Sequence, residues 1–496
     1  MPPKSVINLN FYSSMKTFQY LFLTGPLVML SAEGLSAQQT AADTPESSGS
    51  TTIHDAASQL PERWQYMPEN MQPSPIDDAW WKQYDDPMLN SLIAKAESNN
   101  YNVAAALKRI EIAKRQITAA RSALYPTLDV SAGWDAAKTP GAMNNPVTSS
   151  RTSSYFNLGA SVNWEIDVFG RVTSKTKAAK AGVKVSRAEY DGVIVTLCAN
   201  VAQAYFQLRT YQEQYRVAKA HIASQEEIVK MTQARFDADL GNALEIAQAK
   251  TVLYSTQASI PSLESAIRTT ANSIAILIGE YPSGIVDELL ADTSLPDAPA
   301  VLAPELPAEL LRRRPDVVEA EMQLAELAAE VGVAKKDFLP VLSLTGSIGT
   351  SAHKVDNLFG SNSLEYSIGP SLSWTVFDGF ARKNNVAQAK LQLEAATDDY
   401  NMTVLTAYEE VENAISNYNS AVEQVSLLEK VVEESEKSYN LAVDLYRDGL
   451  SDFINVNNSQ LTYLENQNSL ASARGNVYAA QVALYEALGG GSTVDK

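Results

Sequence analysis

The sequence predicts a mainly α-helical protein with a small β part, written as two copies of one half. Each half reads as helix, strand, loop, strand, long helix, turn, helix. Three observations predict this. First, residues match along the chain at one constant offset: Trp164 with Trp374, Ala179-Lys180 with Ala389-Lys390, Tyr190 with Tyr400, Val201 with Val411, Ala204 with Ala414, Leu240 with Leu450, Gln257 with Gln467, and Gly279 with Gly489. Upstream of the tryptophans the offset grows by four residues, pairing Pro126 with Pro340 and Asn102-Val103 with Asp316-Val317. A repeat this long is a duplicated domain-sized half, not a solenoid unit. Second, two stretches, 171–238 and 381–448, contain no proline and far exceed an ordinary helix in length. Third, short segments of strict apolar alternation precede each of them.

The chain has 496 residues, a net charge of −19, 45% apolar residues and a single Cys. One cysteine forms neither an intramolecular disulfide nor a thiolate zinc site. The acidic balance argues against nucleic acid, which needs a basic face. No series of long apolar runs marks a polytopic helical membrane protein. Gly and Pro are scarce, at 23 and 21, so long uninterrupted elements are expected.

The first residues read as an address. Lys16 precedes an apolar stretch from Phe18 to Leu30, and small residues follow through Ala37. That is the layout of a secretory signal peptide over 1–37, with Met15 a more natural start than Met1. Cleavage is expected after Ala37, with Ala32 as the competitor. No Cys lies near either position to carry a lipid anchor. Residues 38–61, rich in Ser, Thr, Ala and Gly, are expected to be a flexible tether. The two halves are placed at 62–304 and 305–490, with a tail at 491–496.

The pre-strand helices are expected at 87–123 and 306–337, ending before Pro126 and Pro340. Asp316 after Arg314-Pro315 starts the second, and Asn102 is expected to do the same for the first. Leu128, Val130, Ala132 and Trp134 share one face of a strand, as do Leu158, Ala160, Val162 and Trp164. The second half repeats this with Leu342, Leu344, Gly346 and Ile348, then Tyr366, Ile368, Pro370, Leu372 and Trp374. Between them stand small or polar residues. Such strands of eight to ten residues fit a soluble sandwich or an outer-membrane barrel. The polar connections 135–154 and 350–364 fit external barrel loops. A barrel in lipid must close, and four strands are too few. The membrane reading therefore requires several chains per barrel.

In the second long helix, apolar residues recur at alternating steps of four and three: Val404, Tyr408, Val411, Ile415, Tyr418, Val422, Val425. After one slip they continue as Leu428, Val432, Ser435, Tyr439, Ala442, a coiled-coil seam. Returning helices are expected at 243–278 and 453–488, the first interrupted at Ile260-Pro261. A returning helix stacked on a pre-strand helix matches one long helix in length. Each hairpin thus has a two-piece return arm, meeting near Gly279 and Gly489.

These features resemble the TolC-type outer-membrane efflux proteins, specifically the NodT-like outer-membrane factors of RND tripartite exporters. The resemblance covers about 62–490. It is carried by Trp80-Trp81 with Asp86-Pro87 and Leu89, and by Leu310-Leu311-Arg312-Arg313-Arg314-Pro315-Asp316-Val317. Trp164 through Arg171 and Trp374 through Arg382 complete it. It implies a homotrimer in outer-membrane lipid: a twelve-stranded β-barrel continued by a periplasmic α-helical tunnel. It implies a passive exit duct for small molecules, partnered by a periplasmic adaptor and an inner-membrane pump. The adaptor-docking tips would be the hairpin turns at Leu240, Gly241, Gly449 and Leu450. The periplasmic gate would be Ile454, Asn455 and Asn458, with amides where relatives carry carboxylates. Glu245 and Arg447 would latch the tip.

No enzyme is expected. His54, His221 and His353 are isolated, no phosphate-binding glycine loop is present, and Cys198 lies beside Leu197 and Val201 as a core thiol. No cofactor or metal is implied. The alternatives are a type I protein-secretion duct of the same family and a coiled-coil envelope protein without a pore.

Overall fold

A computed structural model describes residues 56–67, 77–143, 146, 149–291, 295–296, 307–308 and 313–491. The expected signal peptide, most of the expected tether, residues 492–496 of the expected tail and Leu310-Leu311-Arg312 lie outside these. The elements are α1 (Pro87–Asn99), α2 (Tyr101–Ser122), β1 (Thr127–Thr139), β2 (Arg151–Ile166), α3 (Arg171–Asp237) and α4 (Ala243–Leu277). After a short helical turn at Val286–Leu289 come α5 (Pro315–Lys336), β3 (Val341–Ala352), β4 (Leu364–Ser373), α6 (Ala381–Arg447) and α7 (Phe453–Ala487).

The two long helices have 67 residues each, about 100 Å at 1.5 Å per residue. Each folds back on a 35-residue partner, α3 on α4 and α6 on α7. Above those partners, α2 packs beside α3, and α5 packs between α3 and α6. The chain therefore forms four rods: α2 over α4, then α3, then α5 over α7, then α6.

The stacking joints are duplicated. Asn100 Nδ2 donates to the Leu277 carbonyl at 2.8 Å, and Arg314 Nη1 donates to the Ala487 carbonyl at 3.0 Å. These are matching positions of the two halves, each side chain satisfying a carbonyl at a helix C-terminus. Beside them Gly279 and Gly489 adopt φ of +73° and +70°. A Cβ on Gly279 would meet the Asn99 carbonyl at 2.5 Å, so glycine is required there.

Several expectations are corrected here. The helix drawn at 87–123 breaks at Asn100, and Asn100, not Asn102, is the cap of α2. Its Oδ1 accepts from the Asn102 and Val103 amides at 2.7 and 3.4 Å. In the second half Arg314 is the N-cap, Pro315 opens the helix and Asp316 Oδ1 accepts the Val317 amide at 2.9 Å. Helix α4 runs unbroken through Pro261. Proline removes a single backbone donor, and packing against α3 holds the helix together around it. The expected tether is docked at its C-terminal end. Ala56–Gln59 is a 3₁₀ turn, and the Ala56 amide donates to Asn401 Oδ1 at 3.0 Å. Farther along, Trp64 stacks on Tyr408 at 5.2 Å, and buried Glu412 accepts from the Gln65 and Tyr66 amides at 2.6 and 3.2 Å.

The strands form one antiparallel sheet in the order β1-β2-β3-β4. They have 13, 16, 12 and 10 residues, the first three longer than the eight to ten that the alternation marks. The β1–β2 ladder continues past the apolar rows to Thr139↔Arg151, because backbone pairing does not require an apolar face. Register brings the apolar rows together: Leu128↔Val162, Ala160↔Ile348, Leu344↔Pro370, Ile348↔Tyr366. The opposite face is Asp129↔Ser161, Ser161↔Ser347, Ser347↔Ser367. The tryptophans at or just past the ends of β2 and β4 are tied to the turns that follow α2 and α5. Trp164 Nε1 donates to the Leu124 carbonyl at 2.9 Å, and Trp374 Nε1 to the Phe338 carbonyl at 3.0 Å.

The main core sits at the joints. Trp80 stacks on Tyr485 at 4.8 Å, and Phe206 stacks on Tyr478 at 4.7 Å. Tyr84 Oη donates to Gln481 Oε1 at 2.8 Å. Asp86 caps α1 through the Met88 and Leu89 amides at 2.8 and 3.1 Å and also accepts from Tyr205 Oη. The Trp80-Trp81 and Asp86-Pro87 motif therefore seats the N-terminal segment on the four rods.

Candidate functional site

The two hairpin turns share one build. Leu240 N donates to the Arg235 carbonyl at 2.8 Å and Leu450 N to the Leu445 carbonyl at 2.8 Å. This bond spans five residues and closes each helix end with a left-handed residue. That residue is Asp239 (φ +58°) in the first turn and Gly449 (φ +74°) in the second. Leu240 and Leu450 stand exposed at 68% and 74%. Gly241 instead makes room for a side chain, since a Cβ there would lie 3.0 Å from Glu245 Oε2.

Behind the turns lies a small apolar cluster of Ile228, Ala249, Ala442, Tyr446, Phe453 and Val456. Phe453 and Val456 turn one face of α7 inward. Ile454, Asn455 and Asn458 consequently lie on exposed positions, Ile454 at 45%. Ile454 and Asn458 are one turn apart and share a face. Asn455 Nδ2 donates to Ser451 Oγ at 2.9 Å.

A polar knot ties the two hairpins together. The Arg235 guanidinium lies over the Tyr446 ring, 4.6 Å from its centroid. Its Nη1 donates to the Tyr446 and Arg447 carbonyls at 2.9 and 3.2 Å, and its Nη2 to the Leu240 carbonyl at 3.3 Å. A cation there meets the negative end of the α6 dipole. Tyr446 Oη donates to Glu245 Oε2 at 2.6 Å. Glu245 also takes Asn242 Nδ2 at 3.1 Å, and its amide donates to Asn242 Oδ1 at 3.1 Å, the N-cap of α4. Burial, then the Glu245 carboxylate, push the Tyr446 phenol above its ordinary range, against the pull of Arg235. The phenol therefore stays a donor at any physiological pH.

The expected Glu245–Arg447 contact is not made within one chain. Arg447 pairs with Asp444 at 3.2 Å, and Glu245 is held by Tyr446 and Asn242. Sequence reasoning did not single out Arg235, Asn242 or Tyr446. The internal repeat carried the signal: Arg235 stands where the other half has Leu445, and Tyr446 where the other half has Phe236.

At the stacking joint of the second half, Arg314 bridges Asp316 Oδ2 at 2.6 Å and Glu410 Oε2 at 2.7 Å. Its burial is offset by these two carboxylates, which hold it charged. The Arg-Pro-Asp motif is thus a structural clasp. Among the described residues no cluster of His, Cys, Asp and Glu suits a metal ion, and no helix is long and apolar enough to cross a membrane.

The family described as outer membrane efflux protein matches residues 92–280 and 306–490. Nodulation protein T of Rhizobium leguminosarum bv. viciae is 30% identical over 418 residues, covering 84% of this chain and 85% of that protein. The pyoverdine export outer membrane protein OpmQ of Pseudomonas aeruginosa is 27% identical over 448 residues, covering 89% and 93%. Among solved structures, the outer-membrane channel OprN superposes with a TM-score of 0.78 at 30% identity, covering 93% of this chain and 99% of that one. The open state of the Neisseria gonorrhoeae MtrE outer membrane channel gives 0.76 at 28% identity, covering 87% and 96%. The chain belongs to the outer membrane efflux protein family, as an outer-membrane channel component of an efflux system rather than an enzyme.

Proposed function

We propose that three copies of this chain close into one duct, a twelve-stranded barrel in the outer membrane continued by twelve helical rods through the periplasm. The free edges of the sheet carry this reading. Strands β1 and β4 each pair on one side only among the described residues, and both are exposed on both faces along nearly their whole length. Unpaired edges and bare apolar side chains such as Val130 (74% exposed) and Ile368 (78% exposed) are unstable in water. In lipid, closure satisfies both: the edges pair, and the registered apolar face meets acyl chains. The rods agree, since β1 continues from the α2/α4 edge of the chain and β4 leads into the α6 edge.

The duct is passive. An inner-membrane pump supplies energy and chooses the small-molecule cargo, and a periplasmic adaptor couples the two. The exposed Leu240, Gly241, Gly449 and Leu450 turns form the adaptor-docking tips. Ile454, Asn455 and Asn458 project into the narrow end as its gate, and the amides make that gate uncharged. Glu245, Tyr446 and Arg235 latch the two hairpins of each chain, while exposed Arg447 extends the latch toward the neighbouring chain.

Planar-bilayer recording of the purified protein tests this. A narrow wild-type conductance that widens in Ile454→Gly and Arg447→Ala supports the reading. No conductance from any of the three proteins would remove it.

A further inference from the structure

The duplicated joints leave two matching cavities. The one at the second-half joint encloses about 560 Å³ and is lined by Arg314, Asp316, Glu410 and Glu486, with Val195, Pro315 and Ala414 among its apolar walls. The one at the first-half joint encloses about 650 Å³ and is lined by Asn200, Gln203, Gln207 and Ile276. The internal repeat relates them residue by residue. Glu410 stands where the other cavity has Asn200, and Glu486 where it has Ile276. One pocket is thus present twice, and only one copy is charged. Its three carboxylates outnumber its single guanidinium by two.

Both cavities open on the same face of the rods. The other face is covered. On α6, Tyr408 stacks with Trp64 and Glu412 holds the Gln65 and Tyr66 amides; on α3, Arg209 and Gln212 donate to the Ala291 and Leu289 carbonyls. Glu410, Asn413 and Asn417 lie roughly half a turn round α6 from Tyr408 and Glu412. Asn200, Gln203 and Gln207 lie roughly half a turn round α3 from Arg209 and Gln212. In the proposed duct the uncovered face lines the passage, because the docked segments would obstruct it from within.

Glu486 is half-buried. Burial, and then the Glu410 carboxylate, hold its carboxyl above the ordinary range, against the pull of Arg314 and Thr196. A further cation beside it would stabilise the ionised form. Arg314 meets that need only in part, since its hydrogen bonds go to Asp316, Glu410 and the Ala487 carbonyl. No cluster of side chains suits a metal ion among the described residues. The volume, the apolar walls and the excess of carboxylates suit a weakly hydrated organic cation instead.

We propose that the cavity at the second-half joint binds organic cations of small-drug size, one per chain, and that its uncharged counterpart does not. Around the proposed duct, charged and uncharged pockets would then alternate along the wall. Passage of the cation through the duct rests on the duct reading; binding in the cavity does not.

Ethidium, an aromatic monocation, is the probe. Fluorescence anisotropy with the full-length protein in dodecyl maltoside, against micelles alone, should show saturable binding of one ethidium per chain. Glu486→Gln keeps the side-chain shape and the Arg314 clasp, and should weaken binding about tenfold. Asn200→Glu/Ile276→Glu gives the first-half cavity the same charge excess and should add a second equivalent. Benzenesulfonate, an aromatic anion, should not displace the probe. Ethidium binding that is absent in the wild type, unchanged in Glu486→Gln, or displaced by benzenesulfonate would overturn the site. Channels that conduct in planar bilayers yet bind no ethidium would overturn this site alone. Binding without conductance would uphold the site and remove the duct.

Discussion

Arg235 reaches across from the end of α3 to the last turn of α6. Its guanidinium covers the ring of Tyr446 at 4.6 Å while Nη1 holds that residue's carbonyl at 2.9 Å. One cation thus serves an aromatic face and a helix terminus on the other hairpin. Tyr446 in turn donates to Glu245, and the two hairpin turns become one unit.

Tyr446→Phe removes that donor and keeps the ring. A hydrogen bond to a charged acceptor contributes about 1.5 kcal/mol or more, roughly tenfold in a closed-to-open balance. Single-channel recordings should show open bursts about tenfold more frequent. Arg235→Ala should go further, since it also uncovers the Tyr446 and Arg447 carbonyls.

Asn458→Asp would place a ring of carboxylates where the proposed gate carries amides. Reversal potentials in a salt gradient should shift toward cation selectivity above about pH 4, the ordinary carboxyl range. The wild-type potential should change much less between pH 4 and 7. Equal behaviour of the two proteins would remove position 458 from the pore lining.

His221 gives the fold a pH dependence. Burial depresses its imidazole below the ordinary value, and the Gln467 bond only partly offsets this. The unfolded chain then takes up the proton more readily than the folded one. Stability from this group is fully present above about pH 6.5, the unfolded value, and is lost as pH falls toward the depressed folded value. The thermal midpoint should drop more between pH 7.5 and 5.5 in the wild type than in His221→Gln.

Arg314→Ala would leave Asp316, Glu410 and the Ala487 carbonyl without their shared donor. Breaking a buried pair costs about 3 kcal/mol or more, and the half-exposed carboxylates reduce that to about 2 kcal/mol. Thermal unfolding should show a lower midpoint with the channel fold retained. The matching change Asn100→Ala, which loses a cap and the Leu277 bond, should cost about 1–2 kcal/mol.

The long helices, their return arms and the stacking joints were legible because pattern length is written in local sequence. Proline absence marked α3 and α6, and Gly279 and Gly489 marked the joints. The apolar rows marked which strand faces agree, but strand length was underestimated, since backbone pairing at Lys138↔Thr152 leaves no hydrophobic trace. The α6 seam was only half legible. Val404, Val411 and Ile415 are buried, whereas Val422 is 41% exposed within one chain. At the tip, Glu245 pairs with Tyr446 and not with the expected Arg447. Tyr446 lies one residue before the expected Arg447, and on a helix that single step turns a side chain by about a quarter of the circle.

The central claim is that this chain acts as a closed trimer in lipid. Native mass spectrometry of the full-length protein extracted in mild detergent tests it most directly. A single dominant species of three chains is expected, one that aggregates when detergent is removed. A monomer that stays folded and soluble without detergent would contradict it.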